Sequence, residues 1–344
     1  MDKIDFVITW VDGSDPEWRR EKEKWKALSM GGISNASDAN SDCRYNSDDE
    51  SLRYWFRSVE KFAPWVNNIF FITNGQKPYW LDVTHPKLQW VKHDEFIPNE
   101  YLPTFNAGCI SANLHRIEGL SEHFVIFDDD LFLLQLLEPD FYFKGGFPKL
   151  VADLRYAWVS YSNWSRTLFN VYCVVNNCFD MRKQIWEYRR KWFNIRELGL
   201  KRARQNFICY LANKSLPSQH FGHLSVPHLK STMSEVWEKC PEVMENTCKS
   251  KFRSDDRVNH YIFLAWNQAK GLFYPVHEKN RGKYIEIKSK NLGAICELVK
   301  SSNYPQICIN DSHNNDISND ESMRVINDAF NSIFPQKSSF ELIG

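Results

Sequence analysis

The sequence predicts an α/β fold: a mixed, mostly parallel sheet flanked by helices, with a helical lobe inserted after residue 139. Three observations predict it. Short apolar runs alternate with helical patterns through residues 1–139, each run ends in a polar turn, and from about 140 the alternation gives way to aromatic and basic stretches.

Residues 4–11 (IDFVITWV) are β-branched and aromatic, as a buried strand requires, and run directly into Asp12-Gly13-Ser14-Asp15-Pro16. Asp15 before Pro16 starts a helix that continues to about Leu28. Residues 29–43 are polar and rich in glycine and serine, a loop composition. Ser47 and Glu50 have capping-box spacing, and Leu52, Trp55, Phe56, Val59 and Phe62 then share one helical face before Pro64. The strand NIFFIT (68–73) ends in Asn74-Gly75-Gln76. Strand, helix and strand at this spacing imply a right-handed crossover between parallel strands.

A weaker strand at 88–92, a helix near 108–118 with Ile110, Leu114 and Ile117 inward, and the strand FVIF (124–127) extend the pattern to Asp128-Asp129-Asp130. Further on, the run 181–204 reads as helix, another helix spans about 255–271, and the strand PQICI (305–309) leads to Asn310-Asp311 before a last helix at about 320–333. The expected division is a core at 1–139, a mainly helical, basic and aromatic lobe at 140–250, and a return to the core at 251–344.

Composition narrows the partners. Lysine plus arginine equals aspartate plus glutamate at 43 each, so no global field draws the chain to nucleic acid, and a charged ligand must be held by a local cluster. Nine cysteines, an odd number without a C-x-x-C pair, suit reduced thiols better than a disulfide framework. The start, MDKIDFVITW, lacks the layout of a signal peptide because Asp5 interrupts it, and no apolar run approaches the ~20 residues of a spanning helix. The expected location is the cytoplasm, resting at most on the inner face of the membrane.

Three polar turns, at 12–15, 74–76 and 128–130, fall at strand ends, where open α/β sheets bind ligands. Clustered carboxylates at Asp128, Asp129 and Asp130 suit Mg²⁺ or Mn²⁺ holding a diphosphate. A solvated acidic turn is the alternative, but the apolar flanks FVIF and LFLL make uncompensated carboxylates costly there. Trp10 could offer a ring face to a base and the Gly13 turn its N–H groups to phosphate, although a plain strand-to-helix turn capped by Asp15 explains the same residues. His115-Arg116 and the histidines 220, 223 and 228 are candidates for proton transfer and phosphate binding. Zinc is disfavoured for the trio, since no cysteine or carboxylate stands beside it at ligand spacing. Arg253 in KFRSDDR could neutralise a phosphoryl group, or belong to an ordinary charged helix start. Arg189, Arg190, Lys191, Arg196, Lys201, Arg202 and Arg204 interleave with Trp186, Tyr188, Trp192 and Phe193, a surface suited to an anionic polymer, a membrane face or simply solvent.

In order along the chain, these residues resemble the four blocks of the Stealth family, the hexose-1-phosphoryltransferases of bacterial capsules and of lysosomal-enzyme tagging. The first resembles IDFVITWVDGSDPEW (4–18), and the second runs through 44–81 to LHRIEGLSEHFVIFDDDLFL (114–133). The third is similar to 226–259, and the fourth to CIND (308–311) with FPQKSSFE (334–341). The resemblance implies a nucleotide-sugar-binding core like that of fold-A glycosyltransferases. It also implies transfer of a hexose or N-acetylhexosamine 1-phosphate from a nucleotide-diphosphate sugar, a UDP-sugar foremost, to a carbohydrate hydroxyl. Carried over by motif position, Asp129, Asp130 and Asp311 would hold Mg²⁺ or Mn²⁺. Trp10, Val11, Asp12, Gly13, Asp15, Asn74, Gln76 and Arg116 would bind substrate. His228 would be the general base, Arg253 the phosphoryl stabiliser, and Asp130 and His115 further catalytic groups. The chain departs from the family pattern at Gly108 and Ser111, where His and Glu are usual, and at Asp128, where Asn is. A glycosyltransferase moving the sugar alone, or a binding subunit without turnover, fits the same residues.

Overall fold

The computed structural model describes residues 2–29, 49–155, 163–212, 222–310 and 319–342. The loop expected at 29–43, the capping residue Ser47, His220 and Asp311 therefore lie wholly or almost wholly outside the described residues. Strand β1 (Ile4–Thr9) is followed by α1 (Pro16–Ser29), α2 (Asp49–Phe62), β2 (Ile69–Thr73), β3 (Leu88–Lys92), α3 (His93–Phe96), α4 (Ala107–Asn113), β4 (His123–Phe127) and β5 (Leu131–Leu133). The hairpin β6 (Phe143–Lys144) and β7 (Phe147–Val151) leads to the helices α5 (Asn163–Cys178), α6 (Met181–Glu187), α7 (Arg189–Trp192) and α8 (Ile195–Ala212). Then come β8 (Val226–Leu229), α9 (Lys230–Lys239), α10 (Pro241–Lys249) and α11 (Tyr261–Ala269). The chain closes with β9 (Tyr274–Val276), β10 (Lys283–Glu286), α12 (Leu292–Ser301), β11 (Gln306–Asn310) and α13 (Asn319–Ile333).

The central sheet has the order β3-β2-β1-β4-β8, parallel throughout except for β8, which runs antiparallel to β4. Two smaller sheets, β10-β11-β5 and β6-β7-β9, flank it. This is the mixed, mostly parallel α/β architecture that the alternation predicts. Its inner strands read as continuous apolar runs because both faces are covered. Along β1, Phe6 and Ile8 pack with Trp55 of α2, Ile295 of α12 and Phe330 of α13, whereas Val7 faces the opposite core with Trp192, Met233 and Trp266. The two-residue period of a strand thus divides one sequence run between two hydrophobic cores.

One buried charge interrupts that run. The Asp5 carboxylate accepts hydrogen bonds from Asn67 Nδ2 at 2.7 Å, Asn68 N–H at 3.0 Å and Ser121 N–H at 2.7 Å, so the entries to β2 and β4 are tied to β1. A buried carboxylate is tolerated where its oxygens are satisfied in this way.

Several expected boundaries shift, for identifiable reasons. The helix near 108–118 ends at Asn113 and continues only as a 3₁₀ turn through Arg116. The helix expected from 255 begins at Tyr261, because the carbonyls of Asp255 and Arg257 accept from Asn170 Nδ2 instead of from a following helical turn. The run 181–204 is broken into three helices, with a further kink at Gly199, whose φ of 75° is non-helical. Residues 226–229, which include His228, form the antiparallel edge strand. The eight described cysteines are all free thiols.

The last residues are fastened to α2. Glu341, with its side chain fully buried, accepts from Arg57 Nε at 2.7 Å and Nη2 at 2.8 Å and from Ser338 N–H at 2.9 Å. Burial pushes this carboxyl up, but the Arg57 hydrogen bond and the Ser338 N–H outweigh it and hold the group below its usual value. A lowered carboxyl contributes stability that is complete above its ordinary value of 4.5 and is lost as pH falls below it. Arg57→Ala, which removes the bidentate partner and leaves the buried Glu341 carboxylate only the longer Arg53 contact at 3.4 Å among its cations, is expected to cost about 3 kcal/mol in urea unfolding at neutral pH. The difference from wild type should shrink as unfolding is repeated at successively lower pH below 4.5.

Candidate active site

The carboxyl ends of β1, β2 and β4 open onto one cleft of about 380 Å³. β4 delivers Asp128, Asp129 and Asp130 to its wall, β1 delivers Trp10 and Val11, and β2 delivers Asn74. On the far side, the segment before α11 contributes Arg253, Arg257, Asn259 and His260.

Sheet register explains why distant residues meet the aspartates. β11 pairs antiparallel with β5, setting Cys308 opposite Leu131, and Ile309 N–H donates to Asp130 O at 2.9 Å. The Cys308 thiol lies 3.3 Å from Asp130 Oδ2 and donates to it. Burial and the neighbouring Asp130 charge push that thiol well up, so it stays protonated. β8 runs back along β4 with Val226 opposite Ile126, which leaves the preceding residues beside the end of β4. His223 Nε2 accordingly sits 3.7 Å from Asp128 Oδ2 and 3.9 Å from Asp130 Oδ2. Ligand atoms of Asp130, His223 and Cys308 fall within 4.8 Å of one another, close enough to converge on one divalent cation. Asp129 is not part of this group, and zinc is no longer disfavoured at His223, because the fold brings the Asp130 carboxylate and the Cys308 thiol beside it. A carboxylate suits Mg²⁺ or Mn²⁺, an imidazole nitrogen is more readily accepted by Mn²⁺, and a cysteine that gave up its proton would favour zinc.

The same register places His228 elsewhere. It pairs with Phe124, four residues before Asp128 and so about 13 Å back along the strand. Its ring is fully buried, stacked on Phe124 and 5.6 Å from the ring of His260, and neither ring nitrogen finds a hydrogen-bond partner among the described residues. His228 is absent from the cleft lining, whereas His260 belongs to it. Burial lowers the His260 imidazole to about 4 against an opposing pull from Asp128, and burial with the nearby His260 lowers His228 well below its ordinary value, so both are neutral near pH 7.

His115 and Arg116 also lie away from the cleft. They pack against Trp237 of α9, His115 with ring centres 6.0 Å apart and Arg116 with its guanidinium 4.8 Å from the ring, while Arg116 Nε donates to Asn113 Oδ1. Burial lowers His115 to about 4.

The first turn is braced from within. Gln76 accepts from Asp12 N–H at 2.9 Å and donates to Asp12 O at 3.1 Å, and Asp12 Oδ1 accepts from Ser14 N–H at 2.8 Å. Asp15 caps α1 by accepting from Glu17 and Trp18 N–H, and the Trp18 bond is the main reason its carboxyl is lowered. Trp10 and Val11 therefore face the cleft from a turn that Asp12, Gly13, Asp15 and Gln76 hold in shape but do not line. A chain of rings then reaches Arg253: Trp18 meets Phe105 at 5.6 Å, Phe105 stacks on Phe252 at 5.2 Å, and Phe105 N–H donates to Lys251 O.

His260, Arg257, Tyr261 and Trp164 were not singled out by the sequence, although Arg257 stands in the same KFRSDDR run as Arg253. At Gly108 an added Cβ would meet Asn106 Oδ1 at 3.0 Å and the Val258 carbonyl at 3.1 Å. Any side chain there would need these neighbours to give by a few tenths of an ångström. Ser111, also in the cleft wall, turns its hydroxyl to Gly108 O.

Comparison with known proteins shows the family of the chain. Residues 2–29 match Stealth protein CR1, conserved region 1; residues 44–150 match Stealth protein CR2, conserved region 2; and residues 298–344 match Stealth protein CR4. The chain is 37% identical over 342 residues to the capsular polysaccharide phosphotransferase WcwK of Streptococcus pneumoniae, covering 99% of both. It is 37% identical over 347 residues to the receptor polysaccharide phosphotransferase WefC of Streptococcus gordonii, covering 99% of this chain and all of the relative. Over 206 residues, 59% of this chain and 84% of the relative, it is 48% identical to the capsular polysaccharide phosphotransferase CpsJ of Streptococcus thermophilus. With near-complete coverage at this identity, the chain belongs to the Stealth family and is an enzyme of the transferase class.

Proposed function

We propose that this protein transfers a hexose or N-acetylhexosamine 1-phosphate from a nucleotide-diphosphate sugar, a UDP-sugar, to a hydroxyl of a capsular or cell-surface polysaccharide. The observation that carries this reading is the meeting, in one cleft, of three strand-end carboxylates with two arginines and an aromatic floor. In the reaction an acceptor oxygen forms a bond to the phosphorus next to the sugar, the bond from that phosphorus to the bridging oxygen breaks, and a nucleoside monophosphate leaves. Charge on the transferring group must be offset for this to proceed.

Trp10 and Asn74 are positioned to contact the nucleotide, with Asp12 and Gln76 fixing the turn. Arg253 and Arg257 face the phosphoryl oxygens. Asp129 and Asp130, joined by His223, would hold Mg²⁺ or Mn²⁺, which when bound neutralises the diphosphate. Cys308 acts on Asp130 by orienting Oδ2 through its thiol proton. His260 takes the acceptor's proton in place of His228, because it lines the cleft and is neutral; His228 stands behind it as a positioning group. The relatives' names as polysaccharide phosphotransferases support the substrate class.

Incubating the purified protein with a UDP-sugar, an oligosaccharide acceptor and Mg²⁺ should release UMP and form a phosphodiester. Release of UDP would replace this reading by plain glycosyl transfer, and donor binding without turnover would reduce the chain to a binding subunit. Chelation with EDTA should abolish UMP release, and added Mg²⁺ or Mn²⁺ should restore it. Asp130→Ala is expected to lower kcat at least about a thousandfold and Arg253→Ala about a hundredfold or more, as loss of one charge-stabilising group typically does. His260→Asn should lower kcat about a hundredfold or more with KM for the donor little changed, the size expected of a proton-transfer group. If His228→Asn is severely impaired while His260→Asn turns over normally, the assignment of these two rings is reversed.

A further inference from the structure

Most helices of this protein hide their apolar side chains, but α8 turns several of them outward. Beyond the kink at Gly199, Leu200, Arg204, Phe207 and Leu211 fall on one stripe at spacings of four, three and four. Their apolar members are 67%, 41% and 56% exposed, and the adjacent Ile208 is 49% exposed. The opposite side of the helix buries Ala203, Asn206 and Cys209, so the exposed stripe is an outer face and not a frayed end.

The face extends across the neighbouring helices. Trp186 of α6, itself 49% exposed, stacks on Tyr210 of α8 at 5.7 Å, and Phe193 meets Phe207 at 5.4 Å. Two guanidiniums lie on these rings, Arg182 over Tyr210 at 5.1 Å and Arg189 over Trp186 at 5.2 Å. Charge is concentrated in the same place. Residues 181–212 hold nine lysines and arginines against two glutamates, in a chain whose charges balance overall, so the rest of it is net acidic. Arg189, Arg190, Arg196, Lys201 and Arg204 are exposed.

We propose that the outer face of α6–α8 docks the enzyme on the surface of a bilayer containing anionic lipid. A hydrophilic polyanion would neutralise the arginines but leave the outward Leu200, Phe207, Ile208 and Leu211 in water. The headgroup boundary of a membrane accepts both, with aromatic rings at the interface and basic groups among the phosphates. Among the described residues no helix is long and apolar enough to cross a membrane, so the contact is with its surface. This inference stands apart from the identity of the sugar donor, since it concerns a face that shares no residue with the cleft.

Co-sedimentation of the full chain with phosphatidylglycerol-containing vesicles tests it. The wild type should pellet with these vesicles at low salt, remain in the supernatant with pure phosphatidylcholine, and be released as salt rises. Joint reversal of Arg189, Arg190 and Arg204 to glutamate should weaken binding about a hundredfold or more, as roughly 1 kcal/mol per basic residue near an anionic surface implies. Phe207→Ser with Leu211→Ser should weaken it severalfold while leaving the thermal midpoint and UMP release from a soluble acceptor as in wild type. Wild-type protein that stays in the supernatant with anionic vesicles would overturn the proposal. So would serine variants that bind vesicles as well as wild type while the glutamate variant fails, because a purely electrostatic face would then serve a soluble polyanion.

Discussion

The position of β4 between β1 and β8 is the constraint on which the site depends. Parallel pairing with β1 carries the end of β4 to the same edge as the turn after β1, so Asp128–Asp130 and Trp10 open onto one cleft. Antiparallel pairing with β8 then returns the chain along β4, bringing His223 to the aspartates while drawing His228 into the sheet. β5, immediately after the aspartates, pairs with β11 and fixes Cys308 against Asp130. A one-residue slip in either pairing would turn these side chains to the opposite face.

The electrostatics follow from the same packing. Carboxylates at a strand end stay partly hydrated in the cleft, whereas the imidazoles of His228 and His260 lie where burial favours the neutral form. The cleft thus sets anionic oxygen, neutral imidazole and guanidinium within one wall-to-wall space. That combination suits a reaction in which negative charge must be gathered, offset and relieved of a proton. Elsewhere burial is made tolerable by saturation, as at Asp5 with three N–H donors and at Glu341 with the bidentate Arg57.

The departures at positions 108 and 111 acquire a packing explanation for the first of them. α4 approaches the Val258 carbonyl so closely that a side chain would need its neighbours to give by a few tenths of an ångström, and the N-cap Asn106 uses its side-chain oxygen on Gly108 N–H and its amide on the Thr247 carbonyl. The cleft wall here is therefore built from backbone and small side chains.

By itself the sequence determined the strands of the parallel sheet, the helices with a clear apolar face, and the acidic turn after β4, because hydrophobic period and turn chemistry are local properties. Trp10, Asn74, Asp128–Asp130 and Arg253 were legible for the same reason, each standing at a strand end or in a charged motif. Only tertiary structure decided which histidine meets the carboxylates, since a strand register chooses between His223 and His228 and no local pattern encodes it. It alone also delayed α11 to Tyr261, because Asn170 captures the carbonyls before it, and brought forward His260 and Arg257. The outward stripe of α8 was hidden in sequence as well: interleaved basic and aromatic residues fit either a buried or an exposed face, and the kink at Gly199 with the packing of Ala203, Asn206 and Cys209 settles which side meets solvent.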